Sequence, residues 1–151
     1  MGLLGEGKID DSVWIVKTHY PERIGRVKFT ANKCIVIVRN PLDCIFSLLN
    51  MVGTTSHSES LSPEVLARAI QNSELWTSFI RQEASVWDDF HNYWTQLQNS
   101  MPVHFITYES LLLEPEIALT DLFKFLLNKD SLEGLEVSQR ISEACGPPSG
   151  S

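Results

Sequence analysis

Arg39, Asp43 and Ser47 stand four residues apart, directly after the apolar, β-branched run Cys34-Ile35-Val36-Ile37-Val38. That run reads as a buried parallel strand. Asn40-Pro41 then supplies a helix cap and a first helical residue, and Asp43 lies where a capping carboxylate would sit. Arg39 therefore leaves the carboxyl end of a strand. Ser47 lies about two turns into the following helix, on the side of Asp43. A guanidinium fork and a hydroxyl converging at a strand end make a phosphate clamp. Upstream, the short apolar run Val13-Trp14-Ile15-Val16 is followed at once by Lys17-Thr18-His19. If both runs are strands of one parallel sheet, Lys17, His19 and Arg39 leave it at the same edge. Ligands of open α/β sheets bind at that edge.

The remaining pattern supplies the scaffold. The spacing predicts a helix over Pro41–Met51 with Leu42, Ile45, Phe46 and Leu49 facing the core. Residues 53–60 read as a polar loop. Ser62-Pro63-Glu64-Val65 is a helix start with Ser62 as its cap. Residues 73–98 carry an aromatic stripe at helical spacing (Trp76, Phe79 or Ile80, Trp87, Phe90, Trp94, Leu97), broken once by Glu83. Such a stripe is read as core packing. Val103–Thr107 reads as a further strand, Pro115 opens a helix to about Asn128, and residues 131–144 form a last amphipathic helix. The alternation of strands and helices indicates an α/β fold, a parallel sheet with flanking helices.

Lys17-Thr18-His19-Tyr20-Pro21 after one strand, and Arg-x-x-x-Asp-x-x-x-Ser after the next, resemble the sulfotransferases. Val103-His104-Phe105-Ile106-Thr107-Tyr108-Glu109-Ser110-Leu111 resembles that family's strand ending in Tyr-Glu-Asp/Ser-Leu. Glu114-Pro115 and Leu122-Phe123-Lys124-Phe125-Leu126 resemble its next helix. The likeness runs from about Val13 to about Leu127. It implies a partial P-loop NTPase-like sulfotransferase fold and sulfuryl transfer from 3′-phosphoadenosine 5′-phosphosulfate (PAPS) to a hydroxyl or amine. It also implies roles. His19 is the general base, Lys17 contacts the reacting groups, Arg39 and Ser47 hold the donor's 3′-phosphate, and Tyr108 borders the adenine. An imidazole that titrates near neutrality suits removal of an acceptor proton. An ammonium beside the bridging oxygen suits the charge that develops there. The expected partners are PAPS as co-substrate and a small-molecule or glycan acceptor. No metal is expected.

Two family features are absent from the sequence: a glycine-rich loop of the type Pro-Lys-Ser-Gly-Thr, and a late Arg-Lys-Gly segment. The loop would cradle the 5′-phosphosulfate with backbone N–H groups and a lysine. The chain therefore reads as an incomplete domain with little activity alone. Its expected layout is a lead-in over residues 1–12, a sulfotransferase-like domain over 13–144 and a flexible tail over 145–151. The alternative reading is a non-catalytic nucleotide-binding or structural remnant. A nucleoside-phosphate kinase fits less well, because Gly-x-x-x-x-Gly-Lys-Ser/Thr is missing.

The 151 residues suit one domain with a single core. A formal charge of −7 argues against nucleic acid as a partner. The charge is uneven. Residues 17–39 hold six bases and one acid, net +5, whereas residues 40–151 hold five bases and fifteen acids, net −10. The positive stretch carries the expected anion site. No apolar run approaches the length of a membrane span. The start of the chain lacks signal-peptide character, which favours the cytoplasm; a Golgi lumen would require an anchor upstream. Cys34, Cys44 and Cys145 form no metal pattern, and a Cys34–Cys44 disulfide is a minor possibility. The sequence does not indicate an oligomeric state.

Overall fold

Two five-residue strands hold the centre of the chain, and each stops where its sequence stops being apolar. In the computed structural model, which describes residues 10, 12–17 and 31–146, these are β1 (Cys34–Val38) and β2 (Val103–Thr107). They pair in parallel, from Cys34 opposite Val103 to Val38 opposite Thr107. Both carry β-branched residues that suit a pleated, half-buried surface. Parallel neighbours require a long crossover. Here three helices supply it: α1 (Pro41–Thr54), α2 (Pro63–Gln71) and α3 (Ser73–Leu97). After β2 come α4 (Tyr108–Leu113), α5 (Pro115–Leu127) and α6 (Glu136–Cys145). The class is α/β, as expected, with a parallel sheet flanked by helices.

The core gathers on the two strands. Val36 is 2% exposed and Ile106 5%, and Ile45, Trp94, Ala118, Leu132 and Ile141 are buried with them. The aromatic stripe of α3 faces inward as its spacing predicts, and Trp94 is its most buried member. Trp76 meets Phe46 of α1 at a ring separation of 5.6 Å. The buried face of α1 is narrower than expected. Ile45 is buried, but Leu42 faces solvent and Phe46 is only partly covered, because α1 touches α3 along one stripe.

Caps set the helix limits. The Asn40 side chain accepts from the Leu42 N–H at 2.9 Å, with Pro41 at the first position. The helix runs past Met51 to Thr54, because the next segment folds back on its last turn. Asn50 Oδ1 accepts from the Leu61 N–H at 2.9 Å. A Cβ on Gly53 would sit 2.7 Å from Leu61 Cδ2, so the Leu61 side chain packs into the space the glycine leaves. Across the sheet, the Lys33 ammonium donates to the carbonyl oxygens of Phe125 and Leu126 and to Asn128 Oδ1. A cation there satisfies orphan carbonyls at the end of α5 and joins the start of β1 to that helix.

Two expectations need correction. Val13–Val16 is not a strand: Trp14 is 71% exposed and Ile15 63%, and the segment makes no ladder. Apolar composition alone does not make a strand, because the backbone groups need a neighbouring strand. Residues 108–113, for which the sequence suggested no element, form helix α4 directly after β2. The Thr107 side chain accepts from the Ser110 N–H at 3.1 Å and turns the chain directly into the helix. The minor possibility of a Cys34–Cys44 disulfide is not realised, and Cys44 is a free thiol.

Truncation at the sheet should be far more damaging than truncation on the α4 surface. Ile106→Ala is expected to lower unfolding free energy by about 2–5 kcal/mol. Leu113→Ala, at a residue 81% exposed, should change it by no more than about 0.5 kcal/mol. Urea denaturation of both variants measures the difference; equal losses would contradict this placement of the core.

Candidate anion-binding site

The register of the sheet builds the site. Val38 lies opposite Thr107, so Arg39 and Tyr108 are the first residues to leave the two strands at the same edge. Their side chains meet there: the Arg39 guanidinium carbon lies 4.7 Å from the centroid of the Tyr108 ring. A planar guanidinium over an aromatic face is held by the ring's quadrupole and by contact, and it keeps its N–H edges free for an acceptor. Arg39 is half-buried. Its Nε is buried and makes no hydrogen bond to a described residue. Buried polar groups are nearly always paired, so this donor requires an acceptor.

The backbone around Arg39 is held from two other elements. The indole N–H of Trp87, on α3, donates to the Arg39 carbonyl oxygen at 3.2 Å. Glu109 Oε1, in the first turn of α4, accepts from the Asn40 N–H at 2.9 Å. That bond, with a further one from its own backbone N–H and the nearby Arg39 charge, holds the Glu109 carboxyl below the usual glutamate range. Its contribution is therefore present above the ordinary glutamate pKa and lost as pH falls through the lowered value. Cys44 lies beneath the turn, with its Sγ 3.9 Å from the Arg39 carbonyl oxygen. Burial pushes its thiol up, the Arg39 charge partly opposes this, and Asp43 and Glu109 add to it. An inert, protonated thiol is the result.

Of the expected site residues, Arg39 and Tyr108 are in contact. Ser47 is exposed on α1, and its hydroxyl makes no hydrogen bond to a described residue. Asp43 is exposed, and no ion pair joins it to Arg39 among the described residues, so the arginine is not occupied in fixing the helix start. Lys17 is exposed at the end of the unpaired segment 12–17. His19 lies outside the described residues. Glu109 and Trp87 were not singled out as site residues by sequence reasoning. For Trp87 the signal was its indole N–H, which needs a partner when the ring is partly buried. For Glu109 it was a position two residues beyond β2, beside the residues that leave β1. Among the described residues no group of His, Cys, Asp or Glu could hold a metal ion, and no helix is long and apolar enough to cross a membrane.

The arrangement suits a phosphate: a guanidinium over an aromatic ring, with an Nε–H that has no partner among the described residues, at the carboxyl edge of a parallel sheet. The family model described as the sulfotransferase domain matches residues 8–144. No curated protein and no solved structure gives a significant match.

The Arg39–Tyr108 contact should be measurable as a coupling. A double-mutant cycle with Arg39→Ala and Tyr108→Leu, read by chemical unfolding, is expected to give an interaction of about 0.5–1 kcal/mol. Additivity within error would show that the two side chains do not hold each other.

Proposed function

Because the chain belongs to the sulfotransferase family, we propose that it carries the 3′-phosphate clamp and the general base of sulfuryl transfer from PAPS to a hydroxyl or amine acceptor. The observation that carries this reading is the Arg39 guanidinium, lying over Tyr108 at the sheet edge with a buried Nε that has no partner among the described residues. That donor fits a phosphate oxygen, so the residues present suit the nucleotide end of PAPS. The nucleotide, when bound, supplies an activated sulfuryl group on its 5′-phosphate.

In this reading Arg39 fixes the register of the nucleotide by binding its 3′-phosphate, and the Ser47 hydroxyl adds a second donor from α1. Tyr108 borders the adenine with the ring edge left free by Arg39. His19 accepts the proton of the acceptor's hydroxyl or amine as that atom attacks sulfur. Lys17 places positive charge near the oxygen that leaves with the 5′-phosphate, and adenosine 3′,5′-bisphosphate is the product. Members of this family act on small-molecule or glycan acceptors. The domain is proposed to span residues 13–144; the tail proposed for residues 145–151 starts one residue early, because Cys145 closes α6.

A second reading, a nucleotide-binding domain without turnover, is favoured by one observation. The sequence holds no glycine-rich loop to grip the 5′-phosphosulfate. A missing set of preorganised donors lowers rate by about 10²–10³. Slow or undetectable sulfate transfer is therefore expected from the 151-residue chain, assayed with labelled donor and a panel of phenols, sterols, amines and sugars. Robust turnover would show that the chain's other donors suffice.

Binding tests the clamp directly. Calorimetric titration is expected to show a preference for adenosine 3′,5′-bisphosphate over 5′-AMP, since only the former carries the 3′ group. Arg39→Ala should weaken bisphosphate binding by about 1.5–3 kcal/mol, the range for a hydrogen bond to a charged group. Equal affinity of the unaltered chain for the two nucleotides would overturn the reading.

A further inference from the structure

The carbonyl oxygen of Arg39 and the N–H of Asn40 belong to one peptide unit, and both are bound by side chains distant in sequence. Trp87 donates to the oxygen at 3.2 Å, and Glu109 accepts from the nitrogen at 2.9 Å. In a trans peptide these groups point in opposite directions. The plane is thus pinned on one edge from α3 and on the other from α4. Such bonds are not needed for satisfaction alone. Asn40 is exposed, and water could meet its N–H at no loss. What the pair does is fix the rotation of the peptide that joins β1 to α1. That rotation sets where the Arg39 side chain leaves the sheet and where the Asn40 cap starts the helix.

We infer that Trp87 and Glu109 are positioning residues for Arg39, holding its guanidinium where it distinguishes a nucleotide with a 3′-phosphate from one without. The inference rests on the proposed role of Arg39. Neither residue touches the nucleotide. Glu109 is spent on the Asn40 N–H, and its negative charge would repel a phosphate. Trp87 approaches from behind the strand end and is stacked against His91, with ring centroids 3.7 Å apart. Tyr108 orients the guanidinium plane from the front. The arginine is therefore located by three residues on two elements, α3 and α4, that both contact β2. The register of β2 against β1 is read through them into the geometry of the clamp.

The test uses the full chain, three substitutions and two probes. Calorimetry measures the ratio of affinities for adenosine 3′,5′-bisphosphate and 5′-AMP. Glu109→Ala should reduce that ratio about 5–10-fold, the scale of one ordinary hydrogen bond, with 5′-AMP affinity unchanged. Glu109→Gln keeps an oxygen acceptor and should stay within about twofold of the unaltered chain. Trp87→Phe keeps an aromatic ring but loses the pyrrole ring with its N–H, and should also reduce the ratio. Amide hydrogen exchange at Asn40 gives a readout without nucleotide: protection lost in Glu109→Ala and retained in Glu109→Gln. If Glu109→Ala does not fold, Trp87→Phe decides alone, because it reads the other edge of the same peptide. A ratio unchanged in Trp87→Phe and in Glu109→Ala overturns the inference while leaving the Arg39 clamp standing. A fall in Glu109→Gln equal to that in Glu109→Ala also overturns it, since charge would then be the cause. No preference in the unaltered chain overturns the clamp and the inference together.

Discussion

The parallel pairing of β1 with β2 is the constraint on which the remaining geometry depends. Side chains alternate across a strand, and a slip of one residue would turn every one of them to the opposite face. With Val38 opposite Thr107, the chain leaves both strands at one level, and Arg39 meets Tyr108. A shift of one position would place Tyr108 beside Val38 and would take Glu109 away from the Asn40 N–H. The register is itself held by burial. Val36 is level with Phe105 and Ile106 with Ile37, so the two most covered residues of the strands point to opposite faces, and a slip of one position would unseat both. Hydrophobic burial thus sets a polar site that contains none of the buried residues.

The helices act on the site through this sheet. The α3 stripe packs by its aromatic rings, yet one of those rings also sends an N–H to the Arg39 carbonyl. α4 begins because Thr107 caps it, and its first turn delivers both Tyr108 and Glu109. Lys33 joins the other end of β1 to the carboxyl end of α5. The strand is tied to helices at both ends, by the Trp87 and Glu109 side chains at one and by the Lys33 side chain beside it at the other, a stronger restraint than two-strand pairing alone provides.

Much of this was legible in the sequence because it is local. Cys34–Val38 and Val103–Thr107 are bounded by Asn40-Pro41 on one side and by Pro102 on the other, so their limits follow from chemistry within a few residues. The caps Asn40 and Ser62 and the stripe of α3 are equally local. Val13–Val16 was misread because its composition matches β1, and composition does not report whether a neighbouring strand is present. Helix α4 was missed because six residues are too few for a periodic signal. Trp87 and Glu109 could not be found locally. Their partners lie 48 and 69 residues away, and only the register brings them together. The family resemblance identified Arg39 and Tyr108 separately, but not that the tyrosine supports the arginine.

Arg39, fixed at the sheet edge, is proposed to bind a 3′-phosphate through its Nε–H, which has no partner among the described residues. The most direct measurement follows the Arg39 Nε–H resonance by nuclear magnetic resonance during nucleotide titration. Adenosine 3′,5′-bisphosphate should shift that resonance and slow its exchange with water, while 5′-AMP at the same occupancy leaves it unchanged. An unperturbed Nε–H at saturating bisphosphate, or the same shift with both nucleotides, would contradict the clamp.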